Sequence, residues 1–426
     1  MSWLMSQTAL SSPPGSLPPP PYSLWMPPPP TQTPGTPITV NNMNIIRSMN
    51  LGAGVVEESA ELADLDGAAR EADEAVAAGA SIGINYGQIA DNLPSPSQVS
   101  WLVRSMNVGK VKLYDADHSI LTAFRGSDVE LVIGVGNENL SAMTDPATAQ
   151  AWVQDHVLPY HLSSTRTRIT CITVGNEVFK GNDAAIKDNL LPAMKSVHGA
   201  LAALGLQGQV NVTTALSLDI MGSSYPPSAG AFRPDVAPYM AALLDFLSTA
   251  TSPFLVNIYP YFAYKEDPSH VPLEYVLFQP TAGVTDTTTG LHYDNMLYAQ
   301  MDSVYAAIQA LGHTDVEVKI SETGWPSKGD PDEAGATPQY AGMYMSNLLR
   351  RMEMKEGTPL RPAVAVDAFV FALFNENLKP GPASERNYGL FYPDGTPVYD
   401  FGLLGYLPPT HKSDATQTVR LFTLQA

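Results

Sequence analysis

The sequence predicts a (β/α)8 barrel, in which eight parallel strands alternate with helices and close into a cylinder. Two observations favour this class. Eight β-branched or apolar runs alternate with helix-like segments over about 330 residues, and this alternation indicates parallel pairing. Most of the runs also end in polar or aromatic residues. The runs are Ile82–Tyr86, Lys110–Tyr114, Leu131–Val135, Ile169–Val174, Val210–Ala215, Phe254–Tyr259, Val316–Ser321 and Ala368–Phe374.

The segments between the runs carry signals for helix starts. Ser95-Pro96-Ser97-Gln98 is a capping box with proline at the first helical position. Asn182 precedes a second helical pattern, and Thr337-Pro338 opens a third. The alternative class is a doubly wound open sheet, which usually carries a glycine-rich phosphate-binding turn. The nearest candidate for that turn, Gly134-Val-Gly136, has Asn139 where the third glycine belongs, so the barrel is favoured.

The first 80 residues differ in composition from the rest of the chain. Residues 1–40 contain 12 of the 37 prolines, and residues 51–80 carry eight acidic residues against one arginine. A proline-rich stretch of this kind is typical of extended, disordered chain. No basic region followed by an apolar run marks a signal peptide. We therefore expect a disordered extension over residues 1–80, the barrel over residues 81–409 and a polar tail over residues 410–426.

Composition excludes several classes of protein. The net charge is −19, so the chain lacks the positive charge that neutralises nucleic-acid phosphates, and we expect no nucleic-acid partner. No apolar run reaches the roughly 20 residues of a membrane span. The chain has one cysteine, Cys171, and therefore no internal disulfide. We expect a monomer.

Two glutamates follow predicted strands at the end where barrels of this class carry their active sites. Glu177 comes after the run Ile169–Val174, and Glu322 comes after Val316–Ser321. An isolated glutamate is most often a solvated or ion-paired residue. Two glutamates at two strand ends, each behind a β-branched run, instead predict a pair of carboxylates that face each other across one cleft.

A carboxylate pair in such a cleft suits glycoside hydrolysis, in which one group protonates the leaving oxygen and the other attacks or activates water. Aromatic and amide residues at the strand ends suit a sugar, because rings stack on its C–H faces and amides bond its hydroxyls. We expect Asn176 to hydrogen-bond a sugar hydroxyl. We expect Tyr259 to stabilise the charged form of a neighbouring carboxylate. The further candidates for substrate binding are Tyr86, Tyr114 and Trp325.

Competing chemistries lack their sequence signals. There is no Gly-x-Ser-x-Gly nucleophile turn, no phosphate-binding loop and no His-x-x-x-His pair for zinc. We therefore expect no metal and no organic cofactor.

Five ordered segments carry a family resemblance: Ile82–Gln88, Val174–Val178, Asn257–Phe262, Ser321–Ser327 and Phe371–Lys379. They resemble the plant family-17 glycoside hydrolases, the endo-1,3-β-glucanases. The resemblance runs from about Ser81 to Pro409 and covers most of the chain. It implies a (β/α)8 barrel that hydrolyses 1,3-β-glucan with retention of anomeric configuration.

The resemblance also implies roles for single residues. By motif position, Glu177 is the acid/base and Glu322 the nucleophile. Glu376, Lys379 and Glu385 match residues that line the substrate cleft; the alternative for these three is a surface ion pair. The family further implies secretion to the cell wall, with a role in carbohydrate metabolism or defence, although no signal peptide is visible here.

Two alternatives remain open at the level of sequence. The first is a glucan-binding cell-wall protein with little turnover. The second is action on mixed-linkage 1,3;1,4-β-glucan or transglycosylation, because linkage choice depends on cleft shape and loop lengths that motifs do not encode.

Overall fold

A computed structural model describes residues 82–161 and 166–403, and the predicted extension and tail lie outside this range. Eight parallel strands form a closed barrel in which each strand pairs with the next along the chain and the last pairs with the first. The predicted (β/α)8 class is therefore confirmed. The strands are β1 Gly83–Asn85, β2 Lys110–Lys112, β3 Glu130–Val135, β4 Arg168–Asn176, β5 Asn211–Ser217, β6 Phe254–Asn257, β7 Val318–Thr323 and β8 Ala368–Val370.

Helices surround the barrel, and two of the three predicted helix starts lie where the sequence places them. The capping box of Ser95 and Gln98 is present, and the Thr337 side chain accepts a hydrogen bond from the backbone N–H of Tyr340. The third predicted start is displaced by one residue, since Asp183 rather than Asn182 caps its helix. The helices are Pro96–Ser105, His118–Ala123, Leu140–Met143, Pro146–His156, Leu158–His161, Ala184–Ala203, Ala237–Thr249, Pro260–Glu266, Leu273–Val276, Met296–Ala310 and Pro338–Glu353.

Several strands are shorter than the apolar runs that predict them. The run Ala368–Phe374 is strand only as far as Val370, and beyond it the backbone bonds alternately to the ends of neighbouring strands and to a loop. The N–H of Ala372 donates to the carbonyl of Tyr388, and the N–H of Leu373 donates to the carbonyl of Asn85. The apolar residues Phe371–Phe374 beyond the strand are buried, and Phe371 lines the cleft at the barrel mouth.

Strand β7 carries an irregularity that decides where Glu322 lies. Strict alternation would put Lys319 and Glu322 on opposite faces of the strand. The pairing register with β6 shifts between Ile320 and Glu322, and the register with β8 shifts between Ile320 and Thr323. A bulge of this kind re-aims the residues that follow it. As a result Glu322 enters the barrel interior, whereas the Thr323 hydroxyl bonds Tyr344 on an outer helix.

An ion cluster lies at the opposite end of the barrel. The Asp367 carboxylate accepts from Lys110 Nζ at 2.8 Å and from Lys319 Nζ at 3.0 Å, and so bridges β2 and β7 across the interior. Burial would raise the pKa of Asp367, but the two ammonium groups hold it below its usual value. None of the helices in the described ranges has the length and apolar character that a membrane crossing requires.

Candidate active site

A cleft of about 410 Å³ lies at the carboxyl ends of the barrel strands. It brings together all of the predicted site residues except Trp325. Its lining also includes residues that the sequence analysis did not single out as sites, among them Gln88, Asp115, Lys180, Phe262, Phe371 and Tyr388. The predicted residues in the lining are Tyr86, Tyr114, Asn176, Glu177, Tyr259, Glu322, Glu376, Lys379 and Glu385.

The prediction that Trp325 binds substrate is wrong. Its side chain is fully buried, and the indole Nε1 donates to the carbonyl of Gly335 at 2.8 Å. The ring packs against Tyr261, Tyr264 and Tyr344. Because no face of the ring is open, it cannot stack on a sugar, and the Gly-Trp-Pro turn anchors the loop behind the cleft instead.

Glu322 lies at the centre of the cleft, where three donors hold its carboxylate. Tyr114 donates to Oε1 at 2.7 Å, Lys112 Nζ lies 3.1 Å from the same oxygen, and Tyr259 donates to Oε2 at 2.8 Å. Burial alone would raise the pKa of Glu322, but the Lys112 charge and the two hydroxyls lower it below its ordinary value. Glu322 is therefore ionised at neutral pH.

Tyr114 and Tyr259 act only as hydrogen-bond donors towards Glu322. Burial and the nearby charge of Glu322 raise the pKa of both phenols well above the usual value. Both hydroxyls therefore keep their protons at neutral pH. The position predicted for Tyr259, beside a carboxylate held in its charged form, matches this contact.

Lys112 is absent from the residues predicted from the sequence, although it is the one cation in direct contact with Glu322 among the described residues. Its side chain is only 1% exposed. The sequence does contain a signal for Lys112. Lys110 and Lys112 are two residues apart on a short strand, so their side chains lie on the same face. In a barrel whose outer face is covered by helices, two such lysines point into the interior and need buried carboxylate partners. Asp367 and Glu322 are those partners.

Glu177 is presented by a turn at the end of β4. Its own φ is +51°, and that of Gly175 is +73°, both in the left-handed region. The backbone N–H of Glu177 donates to the carbonyl of Ala215 at 2.8 Å and fixes the turn to β5. A non-glycine residue in this region is uncommon and costs about 1 kcal/mol or more. The turn directs the side chain into the cleft.

The Glu177 carboxylate has one polar partner on each oxygen. Asn257 Nδ2 donates to Oε1 at 3.0 Å, and Lys180 Nζ donates to Oε2 at 3.2 Å. The Glu177 side chain is 23% exposed, against 8% for that of Glu322. The two glutamates thus differ in environment: Glu322 is enclosed by protein donors, whereas Glu177 remains open to the cleft.

Asn176 offers an acceptor to a ligand. Asn137 binds its backbone on both sides, accepting from the N–H at 2.8 Å and donating to the carbonyl at 2.9 Å. The Asn176 Oδ1 atom is buried and accepts no hydrogen bond from the described part of the chain. A buried polar atom of this kind is costly unless a partner arrives, so a ligand hydroxyl is the natural donor.

Glu376, Lys379 and Glu385 form one wall of the cleft. Lys379 Nζ lies 3.9 Å from both carboxylates and 4.2 Å from the centre of the Phe371 ring. Glu376 Oε1 accepts from the backbone N–H of Ile89 at 2.8 Å, which ties the loop after β1 to the loop after β8. Burial raises the pKa of Glu376, although Lys379 opposes the change.

Glu333 anchors the loops that carry this wall. Its buried carboxylate accepts from Lys265 Nζ at 2.9 Å, from the backbone N–H of Asp330 at 2.9 Å and from that of Ser384 at 3.0 Å. Burial would raise the pKa of Glu333, but these donors and the Ser384 hydroxyl lower it to about 2. Glu333 therefore fixes the position of the neighbouring Glu385.

We expect Glu333→Gln to lower the free energy of unfolding at pH 7 by roughly 2 kcal/mol, since hydrogen bonds to a charged acceptor are lost. The depressed pKa means that the wild-type advantage is complete above about pH 5 and disappears as pH falls towards 2. Denaturant unfolding of both proteins at several pH values measures the difference. Glu353→Gln, at an exposed helix end, is the matched control. A difference that stays constant down to pH 3 would contradict the assignment.

Comparison with known proteins agrees with this geometry. The model of the glycosyl hydrolases family 17 matches residues 82–403. Glucan endo-1,3-beta-glucosidase 14 of Arabidopsis thaliana is 58% identical over 347 residues, which cover 81% of this chain and 88% of the relative. Glucan endo-1,3-beta-glucosidase 11 of the same plant is 55% identical over 324 residues, 76% of this chain and 75% of the relative.

A solved structure extends the comparison to three dimensions. CJP38, a beta-1,3-glucanase and allergen of Cryptomeria japonica pollen, is 40% identical and superposes with a TM-score of 0.71, over 75% of this chain and 98% of the other. The resemblance that the five sequence motifs indicate is confirmed. The chain belongs to the glycosyl hydrolases family 17.

Proposed function

We propose that this protein hydrolyses internal 1,3-β-D-glucosidic bonds of 1,3-β-glucan, with retention of configuration. The observation that carries the proposal is a pair of glutamates, Glu177 and Glu322, that face one cleft from the ends of β4 and β7 in different electrostatic environments. Membership of the family supports it, as do relatives named glucan endo-1,3-beta-glucosidases.

The reaction proceeds in two displacements. In the first, ionised Glu322 attacks the anomeric carbon while Glu177 gives its proton to the departing glycosidic oxygen, which leaves as a free hydroxyl. In the second, Glu177 takes a proton from water as the water oxygen attacks the same carbon and releases Glu322. Two inversions give net retention, and both glutamates return to their starting protonation states.

The hydrogen bonds at Glu322 indicate which oxygen attacks. A carboxylate oxygen has two in-plane lone pairs. Oε1 already binds Tyr114 and Lys112, whereas Oε2 binds Tyr259 alone. We assign the attack to Oε2, which keeps one lone pair free, while the donors on Oε1 fix the orientation of the group.

The rest of the cleft positions the polysaccharide. Asn176 Oδ1 accepts a sugar hydroxyl, and the aromatic faces of Tyr86 and Tyr114 contribute apolar surface for pyranose rings. The wall of Glu376, Lys379 and Glu385 supplies acceptors and a donor for further hydroxyls.

The domain limits and the location are part of the same proposal. Residues 81–409 form the catalytic unit. Two observations support these limits: the barrel closes between Gly83 and Val370, and the cleft residues lie between Tyr86 and Tyr388. The protein acts as a monomer outside the cell, at the cell wall. Sedimentation of the purified chain and immunolocalisation in the source tissue test these two points.

The test of the activity is release of reducing ends by the full chain from a linear 1,3-β-glucan and, in parallel, from barley 1,3;1,4-β-glucan. We expect oligosaccharide products from the first substrate and a β-anomer as the initial product by proton NMR. Activity confined to the second substrate would replace the linkage assignment. A folded protein that binds laminarin and cleaves neither substrate would establish a glucan-binding protein instead.

Replacement of Lys112 tests the electrostatics of the nucleophile. Because the Lys112 ammonium lowers the pKa of Glu322, its loss in Lys112→Met raises that pKa. A protonated Glu322 cannot attack, so the acid limb of the kcat/KM profile moves to higher pH. Profiles measured between about pH 3 and pH 7 show the shift directly. Lys180→Met, which removes the lysine beside Glu177, serves as the control and leaves this limb in place.

Lys112→Met also has a measurable cost in stability. Removing one partner of a buried pair leaves the other charge uncompensated, at about 3–5 kcal/mol. Unfolding experiments therefore accompany the kinetics. An acid limb at the wild-type pH in a folded Lys112→Met protein would show that Lys112 does not tune Glu322.

A further inference from the structure

Two Asn-x-Ser/Thr triplets occur in the chain, and neither contributes a residue to the lining of the cleft. They are Asn139-Leu-Ser141 and Asn211-Val-Thr213, and no other triplet of this form is present in the 426 residues. Such a triplet is the acceptor for N-linked glycosylation when its middle residue is not proline and its asparagine lies at the surface. The sequence pattern is the same in both triplets, so the fold decides between them.

The first triplet lies on an exposed turn at the cleft end of the barrel. Asn139 ends the single turn Asn137–Asn139, which follows β3, and Ser141 belongs to the short helix Leu140–Met143. Asn139 and Ser141 are both exposed, whereas Leu140 between them is buried in the core. The middle residue therefore anchors the segment, while the two residues that glycosylation requires remain open to solvent.

The side-chain amide of Asn139 can take a sugar at no cost to the fold. Within the described structure, Nδ2 donates one hydrogen bond, to Glu138 Oε1 at 3.3 Å, and Glu138 is itself exposed. An asparagine amide has two N–H groups. Glycosylation replaces one of them by the bond to the sugar, so the other N–H can keep the contact with Glu138.

The second triplet is built into the barrel wall. Asn211 is the first residue of β5 and pairs with Cys171 of β4. Thr213 is fully buried, and its hydroxyl donates to the carbonyl of Pro253 at 2.6 Å. Side chains fill the inside of such a barrel and helices cover its outside, which leaves no room for an oligosaccharide on a strand. We therefore expect Asn211 to stay unmodified.

We propose that Asn139 carries an N-linked oligosaccharide. This inference rests on the proposed extracellular location, because the modification takes place in the secretory pathway. The donor is an oligosaccharide joined through its reducing-end carbon to a lipid pyrophosphate. The Asn139 amide nitrogen attacks that carbon, a C–N bond forms, and the C–O bond to the pyrophosphate breaks. The proton that the nitrogen loses ends on the departing lipid pyrophosphate.

The glycan lies beside the cleft without entering it. Residues 137–143 do not line the cleft. Asn137, two residues before Asn139, holds the backbone of Asn176 on both sides. The oligosaccharide therefore covers the outer side of the loop that supports the Glu177 turn, and the path of the substrate stays open.

The test directs the full chain into the secretory pathway of plant cells with a cleavable signal peptide. Mass spectrometry of the purified protein, before and after treatment with a peptide N-glycosidase, reports which asparagine is modified. We expect a glycopeptide that contains Asn139. The whole glycan mass should be lost in Asn139→Gln and in Ser141→Ala, and kept in Ser141→Thr. Asn211→Gln is the matched control and should keep the full glycan mass.

An unmodified Asn139 in the folded, secreted protein would overturn the proposal. So would a glycan that persists in Asn139→Gln and disappears in Asn211→Gln. Circular dichroism checks the folding of each variant and does not depend on the proposed activity. Glucan hydrolysis and localisation in the source tissue are measured separately, so failure of the proposed function is distinguished from an unoccupied Asn139.

Discussion

Glu322→Ala is expected to lower kcat on 1,3-β-glucan by about four to six orders of magnitude, the loss typical when a nucleophile is removed from a cooperating site. The remaining activity comes from binding and from Glu177. Initial rates of reducing-end release measure the loss. Lys112 loses its partner at the same time, so a folding check by circular dichroism belongs with the kinetics. Glu385→Ala is the matched control, because it removes a cleft carboxylate that contacts neither Glu177 nor Glu322 in the described structure.

Azide identifies the role of Glu322. In Glu322→Ala the shortened side chain leaves room for azide to attack the anomeric carbon from the nucleophile's side, and Glu177 still protonates the leaving group. One displacement gives a glycosyl azide of inverted configuration, which proton NMR identifies. A kcat of Glu322→Ala within tenfold of the wild-type value would show that the attacking group lies elsewhere.

Glu177→Ala is expected to lower kcat on the polysaccharide by about two to four orders of magnitude, which is the usual contribution of general acid catalysis. The loss should be much smaller on an aryl glycoside with a dinitrophenolate leaving group, since that group departs without a proton. Rates on the two substrates, measured side by side, separate proton donation from substrate binding. Equal losses on both substrates would contradict the acid role.

Azide also separates the two glutamates from each other. Glu177→Ala still forms the glycosyl ester on Glu322, and azide then takes the place of water in the second displacement. The product is a glycosyl azide of retained configuration, opposite to that from Glu322→Ala. Exchanged configurations in the two variants would reverse the assignment of acid and nucleophile.

The fold and most of the cleft can be predicted from patterns formed by residues that are close together in the sequence. A β-branched run that ends in a polar residue marks a strand tip, and barrel geometry brings the tips together. This reasoning places Glu177, Glu322 and Tyr259 in one cleft before any coordinates are considered. It needs no knowledge of which residues touch.

The parts that the sequence did not reveal depend on contacts between distant segments. Lys112 lies inside the predicted run Lys110–Tyr114 rather than at its end, and its importance comes from Glu322, on a strand that is not its neighbour. Asn257 bonds Glu177 from β6 for the same reason. The sequence predicts Trp325 in the cleft because its position next to a strand end fixes where the backbone lies. That position does not fix the direction of the side chain. Whether the ring faces the cleft or the core depends on the packing of Tyr261 and Tyr344.

The pairing of β1 with β8 has a consequence for synthesis of the protein. Gly83 lies opposite Phe369, so the ribosome makes nearly the whole barrel before its two ends can meet. Until β8 emerges, β1 and β7 are strands at open edges, and other nascent chains can pair with them. Parallel pairing between strands that are so far apart in the sequence also forms slowly. We therefore expect aggregation to compete with closure during translation. Co-expression with chaperones that shield nascent chains should raise the yield of soluble enzyme.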